Sequence, residues 1–138
     1  MAKINFSEEG VTPFEKLMGH NKDIMKKWSS LEECFFNSNT FSFELKEEVR
    51  RTLAFNNGCE YCIAKGKPSN EVTDIKTLIA IKIADLISKN QFIEDEYFNI
   101  LKKEFKDNEI SELLAFICFI TASQRFGALL NLQGTCSM

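Results

Sequence analysis

The stretch FELKEEVRRTLAFNNGCEYCIAKGKPSN, residues 43–70, decides how this chain is read. Ser42, just before it, is a good N-cap, because its hydroxyl can accept from the free amides of a first helical turn. Acidic residues follow where the helix dipole favours them. Leu45, Val49 and Leu53 recur every four residues and give the predicted helix an apolar stripe. The helix should stop at Gly58, which takes the left-handed conformation of a C-terminal residue without strain. Cys59 and Cys62 follow at the start of a new helical segment, which Gly66 and Pro68 in KGKPSN cut short.

Outward from this motif the punctuation stays helical. Pro13 opens a segment running to about Phe36, interrupted at Gly19, His20 and Asn21, so a short helix, a break and a second helix are expected. Phe14, Leu17, Met18, Ile24, Met25, Trp28 and Leu31 give it a helical apolar spacing. Thr73 can cap a long helix through Ile75, Leu78, Ile79, Ile83, Leu86 and Ile87. A further helix is expected over about 93–106, and Asp107 can cap a last one running to about Leu132. Only FSF, residues 41–43, hints at strand alternation. The expectation is an all-α single domain, residues 1–138, a bundle of about six helices with its core motif at 42–66. A chain of 138 residues buries a real core without staples. The run LLAFICFI, residues 113–120, is apolar all round, which suits either a central core helix or a face packed on another subunit.

Composition narrows the function classes. A net charge of −3, with no basic run carrying interleaved aromatics, argues against a nucleic-acid surface. The N-terminal residues lack the apolar run and cleavage site of a signal peptide. The most apolar run, LLAFICFITA at residues 113–122, is short of the roughly 18 residues that cross a bilayer. A cytoplasmic protein without membrane contact is therefore expected. There, structural disulfides are rare, and a CxxC pair points to catalysis or metal binding.

Three readings of Cys59 and Cys62 compete. As a redox pair, their thiols lie within one turn, first-turn amides and the dipole stabilise a thiolate, and Lys65 and Lys67 add positive charge. As a zinc site they need two more ligands, but the chain offers one CxxC, the single His20, and Cys34, Cys118 and Cys136 scattered singly. As inert thiols they would be small buried hydrophobes, which is the expectation for Cys118 and Cys34, while Cys136 sits in the tail. The shared setting behind Gly58 favours the redox pair, with no metal and no cofactor.

The segment EEVRRTLAFNNGCEYCIAKG resembles the core of the alkylhydroperoxidase AhpD-like branch of the carboxymuconolactone decarboxylase family. That branch carries a Glu on one helix, an Asn-Gly-Cys-x-x-Cys turn, and a His four residues after the second Cys. MGHNKDIMKKW resembles the branch's upstream His-Asn segment. The resemblance implies an AhpD-like helical bundle in which Glu47, Cys59 and Cys62 match the acid and the two cysteines. Position 61, His in some members, is Tyr61, and the downstream His position is Gly66. The proton relay is thus incomplete, with Lys65 the nearest cation and Glu47 free to pair with Arg50 or Arg51 instead.

The resemblance implies a CxxC-dependent thiol oxidoreductase that reduces a peroxide or disulfide with an external dithiol, and a homo-oligomer. It implies that Cys62, the more protected thiol, attacks the peroxide while Cys59 meets the reductant. The rival is a non-catalytic or redox-sensing binding or assembly protein, favoured by the missing His and opposed by the intact cysteine turn.

Overall fold

The computed structural model describes residues 1–134, all of them in helices or connecting segments with no strand among them. Cys136 lies outside the described residues. Seven helices follow in chain order: α1 Pro13–Met18, α2 Lys22–Asn37, α3 Phe43–Asn57, α4 Glu60–Ile63, α5 Ile75–Ser88, α6 Asp95–Glu104 and α7 Asp107–Leu129.

Local rules place most boundaries. Thr12 and Glu15 form a capping box ahead of Pro13, and Asn21 caps α2 through its side-chain oxygen. Ser42 caps α3 by accepting from the Leu45 amide, and Gly58 ends it at φ 66°. Other boundaries move by a residue or two. Asp74 rather than Thr73 caps α5, accepting from both the amide and the hydroxyl of Thr77. Asp107 begins α7 from inside, behind Lys106 at the N-cap, and Glu109 reaches back to the Lys106 amide. FSF forms no strand: Phe41 packs into the core, edge-on to Phe105, and Phe43 starts α3 facing water.

The core is built on α3, which packs against both α5 and α7. Leu45, Val49 and Leu53 of α3 meet Ala80, Ile83 and Ala84 of α5, with Leu113, Phe116, Ile117 and Ile120 of α7 in the same cluster. Small residues at 80 and 84 let α5 come close. From outside, Trp28, Phe35 and Phe36 of α2 cover α7, with Phe35 and Phe36 edge-on to Phe116 at 5.6 and 5.5 Å. Ile24, Leu31, Ile75 and Leu78, read as stripe residues, face solvent. Each lies off the side of its helix that meets the core, and the contacting side is visible only once the neighbour is placed.

The last helix settles part of the question its composition raised. α7 runs through the core with eight of its residues buried, and by length and composition alone it could cross a bilayer, which the ten-residue run within it did not suggest. Its outer side carries Ser111, Ala115, Cys118 and Ala122 in solvent.

Candidate functional site

The C-terminal end of α3 builds the site. The left-handed Gly58 turns the chain back, and Cys59 becomes the N-cap of the four-residue α4. The Cys59 Sγ accepts from the Cys62 amide at 3.3 Å, and the two sulfurs are joined as a disulfide with Cα atoms 5.2 Å apart. The Cys-x-x-Cys spacing thus does bring the two sulfurs together.

The two are not equally accessible. Cys59 is fully buried, at 0% exposure, while Cys62 is half-buried. α7 comes so close behind Cys59 that a Cβ on Gly127 would sit 3.3 Å from its sulfur. This reverses the expected protection: Cys62 is the more exposed residue of the pair and Cys59 the covered one. The reason is tertiary, because α7 seals one side of the α4 turn and leaves the other facing a cavity.

That cavity, about 380 Å³, has Cys62 in its wall. It is bounded by α1, α2, the middle of α3, the α4 turn and α7, with Phe14, Phe36 and Ile120 as apolar lining. Its size lies within the range of small-molecule sites. The charged and titratable lining residues are Glu15, Glu32, Glu33, Arg50, Tyr61 and Lys65.

Arg50 ties the cavity to the cysteine turn. Its Nε donates to Glu47 Oε2 at 2.8 Å, its Nη1 to the Cys62 carbonyl at 3.2 Å, and its Nη2 to the Lys65 carbonyl at 3.4 Å. Its own carbonyl accepts from Gln124 Nε2 on α7 at 3.1 Å. Glu47 therefore acts on the turn through Arg50 and does not line the cavity, and the i,i+3 ion pair anticipated for it is present.

Lys65 lines the cavity with its ammonium over the Tyr61 ring, 4.7 Å from the centroid. Protein packed around that ammonium lowers its pKa, helped by the Arg50 charge and opposed by Glu32 and Glu47. Lys65 remains solvent-exposed as a residue, so this desolvation is partial. Burial raises the Tyr61 pKa, and Glu32 and Glu15 raise it further. Protein packed near it likewise raises the Glu32 carboxyl, against the pull of Lys65, and because Glu32 is exposed as a residue this desolvation too is partial. Glu15 is held below the usual range, first by the Ser29 hydroxyl and then by the Thr12 and Val11 amides.

Position 66 is structural. Gly66 has φ 135°, and a Cβ there would lie 3.1 Å from Arg51 Nε. The next residues are held by Glu48, whose buried carboxylate accepts twice from the Ser69 amide at 3.1 Å and once from Arg51 Nη1 at 3.4 Å.

His20 stays apart from the site. Its Nε2 lies 2.7 Å from the Asn5 carbonyl, and Asn21 does the capping. Cys34 and Cys118 are exposed, not buried as expected. Cys118 lies within an apolar run, but its position around the helix points it outward, which a run of apolar letters does not reveal. Among the described residues no three His, Cys, Asp or Glu side chains are grouped to hold a metal ion.

Sequence reasoning missed Glu15 and Glu32 as site residues. Thr12-x-x-Glu15 is readable as a capping box, but nothing local marks Glu32. No family model, curated protein or solved structure matches this chain.

Proposed function

We propose that the chain is a thiol oxidoreductase of the alkylhydroperoxidase kind, reducing a peroxide or a disulfide at Cys62 with Cys59 as its internal partner. One observation carries this reading: a bonded CxxC pair with one sulfur in the wall of a ligand-sized cavity and the other sealed behind it. The likeness of the cysteine turn to the AhpD-like branch supports it, and brings with it the expectation of a homo-oligomer.

In the reduced pair the Cys62 thiolate attacks the outer peroxide oxygen. The O–O bond breaks, an alcohol leaves with a proton, and the sulfur holds the hydroxyl as a sulfenic acid. The Cys59 thiol then attacks that sulfur, water leaves, and the disulfide forms. An external dithiol reverses this. Its first thiolate attacks Cys62, the open sulfur, and expels Cys59 as a thiolate onto the Cys62 amide. Its second thiol closes the reductant's own disulfide and frees Cys62. The reductant thus meets Cys62, because Cys59 has no access to solvent.

The test is dithiol-dependent consumption of peroxide by the purified protein. Cys62→Ser and Cys59→Ser should each abolish turnover, and one of the two thiols should titrate well below the free-thiol reference of about 8.5. Turnover that survives either substitution overturns the reading. Ordinary thiol pKa values with no turnover would leave a redox-sensing or binding protein.

A further inference from the structure

A thiol that attacks a peroxide must lose a proton, and the departing alkoxide must gain one. Neither service comes from position 66, where the backbone requires glycine. Among the titratable groups that line the cavity with Cys62, most are committed. Glu15 is held by the Val11 and Thr12 amides and the Ser29 hydroxyl. Arg50 is held by Glu47 and two carbonyls. Lys65 rests over Tyr61, and both are cavity-wall groups that hold their protons tightly relative to a carboxylate. Glu33 lies between this cavity and a second, shallower groove beside Cys34.

Glu32 differs from all of these. It lines the same cavity as Tyr61, Cys62 and Lys65, which brings a carboxylate of α2 to the cavity that the cysteine turn also lines, and its charge acts on both Lys65 and Tyr61. With the described residues it forms no hydrogen bond that would hold it in one protonation state. It is solvent-exposed as a residue, so protons reach it from water.

We propose that Glu32, from α2, is the proton-transfer partner of Cys62 in the cavity that both line. This rests on the oxidoreductase reading and deepens it. The carboxylate takes the Cys62 thiol proton, directly or through one water, leaving a thiolate and a neutral carboxyl. The thiolate attacks the peroxide, the O–O bond breaks, and the alkoxide takes the proton from Glu32. The carboxylate is restored, Cys62 is a sulfenic acid, and the alcohol departs. The cavity that both residues line, about 380 Å³, has room for a small organic peroxide. The raised pKa of Glu32 suits a group that must both accept and return a proton.

The experiment follows the first oxidation of fully reduced protein by tert-butyl hydroperoxide, reading disulfide formation by mass, from acid to neutral pH. For the wild type, the rate should rise with pH as Glu32 deprotonates, in a range above that of an ordinary glutamate. Glu32→Gln should slow the oxidation about 100-fold, the low end of what proton transfer supplies, and flatten that rise. Glu32→Asp should keep the rise at a lower rate. Exchange with a nitrobenzoate disulfide needs the Cys62 thiolate but no proton for its leaving thiolate. Glu32→Gln should therefore slow it less than the peroxide reaction and match the wild type at a pH where the thiol ionises unaided, which shows that the thiols remain in place and reactive. A Glu32→Gln protein that matches the wild type in rate and pH profile overturns the proposal. Wild-type protein that exchanges with the nitrobenzoate disulfide but ignores the peroxide overturns the peroxide reading and the role of Glu32 together. Loss of both reactions in Glu32→Gln that persists at a pH where the thiols ionise unaided assigns Glu32 to structure, and that too overturns the proposal.

Discussion

The helical core and the cysteine turn are held by different forces. Around α3, α5 and α7 the contacts are apolar and shared among many side chains, from Leu45 to Ile120. Residues 58–70 bury only Cys59 among their side chains, and their backbone is fastened by charged groups projecting from α3. Arg50 grips the carbonyls of Cys62 and Lys65, and Glu48 grips the Ser69 amide. Apolar packing is non-directional and spreads its losses, whereas a charge-assisted hydrogen bond depends on one pair of groups. The cysteine turn can therefore loosen while the scaffold stays folded.

The contrast can be broken most forcefully in the core. Phe116→Ala empties a site edge-on to Phe35 and Phe36 and should cost about 3–5 kcal/mol. Denaturant unfolding should show a large fall in midpoint, with the whole domain affected together. A fall confined to one helix by hydrogen exchange would mean that the core is not one unit.

Glu48→Ala tests the other region. It removes both acceptors of the Ser69 amide and the partner of Arg51, a loss of about 1–3 kcal/mol. The expected signature is local: faster amide exchange over residues 66–70 and faster alkylation of reduced Cys59, with a smaller midpoint change than in Phe116→Ala. A midpoint change as large as that of Phe116→Ala would erase the distinction.

The smallest effect concerns acid, and two of the cavity glutamates, Glu15 and Glu32, should respond with opposite sign. The folded-state pKa of Glu15 is lowered, so its stabilising contribution is present above the unfolded value and lost as pH falls through the folded one. The pKa of Glu32 is raised, so the folded state favours its protonated form, and that contribution is lost as pH rises through the folded value. Near pH 7, Glu15→Gln should lower the melting temperature slightly and Glu32→Gln should leave it unchanged or raise it. On acidification the deficit of Glu15→Gln should shrink. Melting curves of both variants across this range check the signs.

Several elements were legible because their causes are local. Ser42, Gly58 and the apolar repeat of α3 each act within a few residues, through a cap, a positive φ and a spacing. The break between α1 and α2 is of the same kind, as is the approach of the two cysteine sulfurs, which needs only one turn of chain. Where two polar residues adjoin a helix start, as at Thr73 with Asp74, the choice turns on which side chain reaches the third amide, and the spacing alone leaves that open.

By itself, then, the sequence determined the helical class, most breaks and the pairing of Cys59 with Cys62. The tertiary structure decided which sulfur is open, because the covering group is Gly127 on a helix far along the chain. It also turned Cys34 and Cys118 outward and brought Glu32 of α2 to the cavity of Cys62. Hydrogen bonds within a turn are fixed by neighbours in the chain. Exposure and desolvation are fixed by whatever packs alongside, and that emerges only when distant helices meet.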